Sequence, residues 1–357
     1  MSELTNRELW QKIMHYEKVD RMPVFHWKGW PETYDRWYQE GLSEDADEHK
    51  FFNASPMHGW ISLNIDPFPA FEEEVLEDTD DYHIYRQSDG VICKDLKHKS
   101  SIPHYIDFVL KDSSCWHEYE RRLQPDMARI PADFDAQIEK ALKLDAPISV
   151  NTGSMIGWIR NWMGVENLAY LCYDDRDTLA QMVDTISNLV CWALDIILPK
   201  VKVDCGWGWE DICFRTGPLI SPEIFKEVAV PGYRKIADKL LEYGVDLYVV
   251  DCDGMIDHLV PHWLEAGVNV MFPVEIGVWQ ADPMAFRKKY GNELRIFGGI
   301  DKMAIPKGAK TIDAEITRRL PLMKAGGFIP LPDHLITPET SLSNYKYYLE
   351  KLRSLRF

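Results

Sequence analysis

The feature that most restricts the fold of this chain is a repeated alternation of short apolar runs with amphipathic segments. Eight runs read as strands: Met22–Trp27, Trp60–Ile65, Ile148–Thr152, Val201–Trp209, Asp246–Asp251, Val268–Val274, Leu294–Gly298 and Phe328–Leu331. The segments between them carry helix punctuation. Thr5-Asn6-Arg7-Glu8 is a capping box, and Ser221-Pro222-Glu223 opens a helix that ends near Gly244. Asp282-Pro283 opens another, closed by Gly291; Thr311 is expected to cap a third, which runs to Gly326. Strands separated by helices along the whole chain predict an α/β fold, a (β/α)8 (TIM) barrel, as one domain over residues 1–357. One stretch breaks the pattern. Residues 72–96 alternate about Ser88-Asp89-Gly90 and predict an antiparallel excursion that caps the barrel mouth.

Composition excludes several functions. A formal charge of −17 leaves no basic surface for nucleic acid or an anionic membrane. The seven cysteines include no Cys-x-x-Cys, which argues against a disulfide framework and fits a reducing compartment. The amino terminus lacks a basic and apolar leader, and no apolar run is long enough to span a bilayer. A cytoplasmic location is expected.

In a barrel, residues just past the carboxyl ends of the strands converge on one pocket. Those positions hold His26-Trp27, Asn151-Thr152-Gly153, Trp207-Gly208-Trp209-Glu210-Asp211, Asp251-Cys252-Asp253-Gly254, Glu275, Gly298-Gly299-Ile300-Asp301 and Asp333-His334. So many carboxylates around one histidine repel unless a cation joins them or some stay protonated. Glu210, Asp251, Asp253 and His334 are the candidate metal ligands, with zinc the ion that suits carboxylate and imidazole together. The same acids serve equally well as helix N-caps or partners of Arg and Lys. His26, Trp27, Asn151, Trp207, Trp209 and Glu275 are the candidate substrate contacts, the tryptophans forming walls for a planar ligand. Cys252 lies opposite its two aspartate neighbours on a regular strand and reads as buried and structural, whereas Cys213 stays open as a soft ligand. Gly298-Gly299 opens no helix with a dinucleotide fingerprint.

Several spaced motifs resemble the uroporphyrinogen decarboxylase superfamily. They are Asp251-Cys252-Asp253-Gly254, Leu264-Glu265-Ala266-Gly267-Val268-Asn269-Val270, Pro273-Val274-Glu275, Gly298-Gly299-Ile300-Asp301-Lys302, Gly326-Gly327-Phe328-Ile329-Pro330, Asp333-His334 and Ser341-x-x-Asn344-Tyr345. Gly217-Pro218-Leu219-Ile220-Ser221-Pro222 is similar in style. The resemblance implies a (β/α)8 barrel and leaves the reaction open. Where true decarboxylases carry an arginine-rich segment, this chain has His26-Trp27-Lys28-Gly29-Trp30, which disfavours a polyanionic tetrapyrrole.

The other branch it resembles is the corrinoid-dependent methyltransferases. Their zinc-binding, thiol-activating members use His-x-Cys on strand five and a Cys on strand eight. The matching places here look like Asp251, Asp253 and His334. Oxygen ligands leave zinc a harder Lewis acid, suited to an ether oxygen rather than a thiolate. The resemblance therefore implies demethylation of a methoxylated small molecule, such as an aryl methyl ether, by the cobalt(I) corrinoid of a separate corrinoid-binding protein. The rivals are methyl transfer from the corrinoid to a thiol or tetrahydrofolate, and a decarboxylase using Asp and His as proton donors. Homodimerisation is left open.

Overall fold

The computed structural model describes residues 4–98 and 102–357. Eight barrel strands follow the predicted runs: β1 (Phe25–His26), β2 (Gly59–Ile61), β3 (Ile148–Asn151), β4 (Cys205–Trp209), β5 (Tyr248–Asp251), β6 (Val270–Phe272), β7 (Arg295–Ile300) and β8 (Phe328–Pro332). Most are shorter than their apolar runs. The runs read clearly because strands of a parallel sheet covered on both faces need no polar alternation.

Strands β2 to β8 form one parallel sheet in chain order, with Val249 of β5 level with Trp207 of β4 and Val270 of β6. Closure runs through β1. It pairs in parallel with Ser55–Pro56, and Gly29 just beyond it bridges Ile336 beyond β8. The second strand therefore changes partner along its path: Ser55–Pro56 lies on β1, Gly59–Ile61 lies on β3, and Met57-His58 is the bend between them. Aromatic rings plug the interior, as layered side chains fill such barrels. Trp207 meets Phe272 at 5.0 Å and Phe297 at 6.0 Å between ring centroids, and Phe297 meets Phe25 at 5.6 Å.

The helical punctuation holds with two corrections, the first being that the segment from Ser221 to Gly244 is two helices, Pro222–Val228 and Val230–Glu242, and not one. Thr5 forms the capping box with Glu8, Ser221 caps Pro222–Val228, and Asp282 caps Pro283–Tyr290. Thr311 is not a cap. That helix begins three residues earlier, as Ala309–Ala325, with Gly308 as its N-cap residue at φ 89°, a conformation glycine adopts without strain. The excursion is larger than its hairpin signal. Glu74–Asp78, Tyr82–Arg86, Ile92–Leu96 and His104–Asp107 make a four-stranded antiparallel sheet. Among the described residues no helix is long and apolar enough to cross a membrane.

Candidate active site

A cavity of about 410 Å³ opens between the strand ends, walled by Trp27, Trp60, Trp158, Trp207, Trp209 and Phe272, with Asn151, His58 and Asp251 as its polar groups. Trp27 is held over the cavity by Phe272 at 5.0 Å, and Asn151 by Ser62 and by the Gly153 N–H at 2.9 Å. Arg160 lies over the Trp209 ring at 5.4 Å. The expected aromatic contacts Trp27, Trp207 and Trp209 are thus brought together with Asn151 and Asp251.

Asp251 ends β5 and is enclosed except toward the cavity. Burial, and then the charges of Asp253 and Asp211, hold its carboxyl well above the usual aspartate range. No hydrogen bond from a described residue offsets that. Asp211 is raised by burial and by Asp253, and is pulled back by Arg160, whose guanidinium lies 3.8 Å away. Asp253 contacts His334, with Oδ2 3.2 Å from Nε2. The His334 ring stacks on Trp30 at 5.9 Å, and its buried Nδ1 has no partner among the described residues.

Backbone geometry fixes the turn that carries Asp253. Gly254 has φ +80°, and a Cβ there would sit 2.3 Å from the Cys213 carbonyl oxygen, so only glycine fits. Glu275 accepts the Gly254 N–H at 2.7 Å, which places Glu275 behind the turn. Burial first, and then Asp253, raise the Glu275 carboxyl. Cys252 is buried, and burial together with Cys213 pushes its thiol up, which suits a structural cysteine.

Glu210 does not join this group. Its carboxylate accepts the N–H groups of Met155 (2.5 Å), Ile156 (3.1 Å) and Gly157 (2.8 Å) and the Tyr233 hydroxyl. It satisfies the amino end of the helix Gly157–Asp174, so its oxygens are occupied and cannot serve a metal. Asp333 is likewise committed, to the N–H groups of Ile276 (2.6 Å) and Lys302 (2.9 Å), and Asp301 caps Met303. His26 is tied between the Tyr345 hydroxyl (3.0 Å) and Glu48 (2.6 Å) and faces a neighbouring cavity, not Asp251.

Beyond the candidate ligands and substrate contacts, Asp211, Arg160 and His58 also belong to the site, with Trp60, Trp158 and Phe272 in its wall. Asp211 stands directly after Glu210 in a left-handed conformation (φ 43°), which separates the directions of the two acids. Arg160 comes from the helix after β3, where nothing local marks it. His58 sits at the bend of the second strand, a position hidden by the apolar run beginning at Trp60.

The fold and the strand-end carboxyl cluster define a barrel protein with an enzyme-like mouth. The model of the family "Uroporphyrinogen decarboxylase (URO-D)" matches residues 114–355, and the chain belongs to that family. A solved methyltransferase from Methanosarcina mazei superposes with a TM-score of 0.61 over 98% of this chain and 99% of that one. Its identity of 15% makes this a likeness of fold. No curated protein sequence matches the chain.

Proposed function

We propose that this protein is a methyltransferase that demethylates a methoxylated aromatic small molecule, passing the methyl group to the cobalt(I) corrinoid of a partner protein. The observation that carries the reading is the Asp251 carboxyl placed in the wall of an aromatic cavity, where burial raises it above the usual aspartate range. An ether parts with its methyl group slowly because the oxygen leaves as an anion, and a positioned acid removes that charge. The corrinoid supplies the nucleophile for the methyl carbon. Asp251 gives its proton to the departing phenolate oxygen, while Trp27, Trp207 and Trp209 hold the ring and exclude water. Burial, with the charges of Asp253 and Asp211, raises the Asp251 carboxyl and favours its acid form. His334 pairs with Asp253 and fixes the turn from the β8 side.

This reading does not require zinc. Among the described residues no three His, Cys, Asp or Glu side chains are grouped to hold a metal ion. A second reading, in which Asp251, Asp253 and His334 close on zinc, is favoured by the surplus negative charge around Asp253 and the unpartnered Nδ1 of His334. The test mixes the protein with a cobalt(I) corrinoid carrier and a panel of methoxyarenes. Loss of the cobalt(I) absorbance with one of them, slowed about 100-fold or more in Asp251→Asn, supports the reading. Persistence of cobalt(I) with every ether, with methylcobalamin decaying on addition of a thiol or tetrahydrofolate, reverses the direction of transfer.

A further inference from the structure

A separate cavity of about 410 Å³ lies in the crease where the excursion strand His104–Asp107 meets the helix Gly157–Asp174. It shares no lining residue with the aromatic cavity. The helix kinks there. Gly164 has φ +79°, and a Cβ on it would sit 2.6 Å from the Phe108 ring. Phe108 seats against that kink and, with Pro103 and Val165, gives the cavity its apolar wall.

The polar wall is made of Arg160, Asn161, His104 and Tyr105, and no carboxylate of a described residue lines it. That is unusual in a chain with a formal charge of −17. Asp107, on the same strand, is drawn off by Lys111 at 3.0 Å. Among the described residues, none of these polar side chains makes a hydrogen bond. Arg160 is the extreme case. A guanidinium carries five N–H donors, yet its partners are the Asp211 carboxylate at 3.8 Å, beyond hydrogen-bond reach, and the Trp209 ring at 5.4 Å. Only 19% of its side chain is exposed, so the charge is poorly hydrated as well as poorly paired.

We propose that this cavity is a second binding site, for a small organic monocarboxylate with an aliphatic body. Arg160 takes the carboxylate in its forked donors. The Asn161 amide and the Tyr105 hydroxyl donate to the lone pairs left over, and the aliphatic part rests on Phe108 and Val165. A bare phosphate leaves that apolar wall in water and binds less well. The bound anion also competes with Asp211 for the guanidinium, which ties this site to the acids at the strand ends.

Titration calorimetry on the full chain, without corrinoid, tests the site with cyclohexanecarboxylate, its neutral isostere cyclohexanecarboxamide, and inorganic phosphate. The wild type is expected to bind the carboxylate about 10-fold or more tighter than either of the others. Val165→Trp fills the cavity from an exposed position on the helix and should abolish that binding. Arg160→Met should bring the carboxylate down to the level of the amide, and Tyr105→Phe should weaken it about 3-fold. Failure of the carboxylate to bind, or equal affinity for acid and amide, overturns the proposal. Carboxylate binding that survives in Val165→Trp does the same, because the probe then sits elsewhere. Phosphate bound as tightly as the carboxylate overturns the assigned ligand class. Melting curves show whether each variant is folded; where Arg160→Met is not, Tyr105→Phe carries the comparison.

Discussion

Replacing Asp251 by Asn should stabilise the protein while removing its activity, and the gain should depend on pH. Asp253 stands two residues beyond Asp251 in the turn after β5, which puts their backbones at most about 7 Å apart. Two unit charges at that distance repel by about 2.5 kcal/mol at an effective dielectric of about 20. Asp253 has a third of its side chain exposed, so solvent screening reduces the share carried by this pair to about 1–2 kcal/mol. Burial and Asp211 act in the same direction on Asp251. An acid whose folded pKa is raised binds its proton more tightly in the native state. Its contribution to stability is complete below the unfolded pKa and is lost as pH rises through the folded one. Asn carries no charge at any pH, so Asp251→Asn should match the wild type at pH about 4 and exceed it increasingly above the ordinary aspartate range. The expected gain at pH 8.5 is about 1–2 kcal/mol, or about 1–3 °C in melting temperature for a chain of this size. Paired melting curves at acidic and alkaline pH read this directly, alongside cobalt(I) consumption at each pH. A variant destabilised equally at both pH values would refute the electrostatic reasoning, because Asp251 would then be a structural partner rather than a repelled acid.

Glu210→Ala should cost about 3–5 kcal/mol in urea unfolding, since it orphans the helix N–H groups and Tyr233, and Glu210→Gln should cost less. An unchanged unfolding midpoint would contradict that assignment. Gly254→Ala should lose about 2–4 kcal/mol and most of the activity, through the left-handed backbone and the clash with Cys213, as read by melting and cobalt(I) assays. Metal analysis after zinc loading and desalting should find no stoichiometric zinc. One equivalent in the wild type, absent from both Asp253→Ala and His334→Ala, would establish the zinc reading instead.

Barrel strands announce themselves because burial on both faces demands continuous apolar residues, and caps announce helix starts through single side-chain hydrogen bonds. The sequence alone therefore determined the eight strands, nearly all the helix boundaries considered, and the concentration of acids at one end of the barrel. It could not assign those acids. Glu210 and Asp211 are neighbours in the chain, yet one is taken up by the helix following β3 and the other faces Asp253 and Arg160. Asp333 and Asp253 both follow strands, yet three backbone N–H groups occupy the first and leave the second to His334. His58 carried no local signal, because its place depends on a strand changing partners. An acid becomes a cap or a reactive group according to the donors that fold against it, and those donors come from elements distant in sequence. Which carboxyls meet hydrogen-bond donors and which meet only each other was decided by the closed barrel.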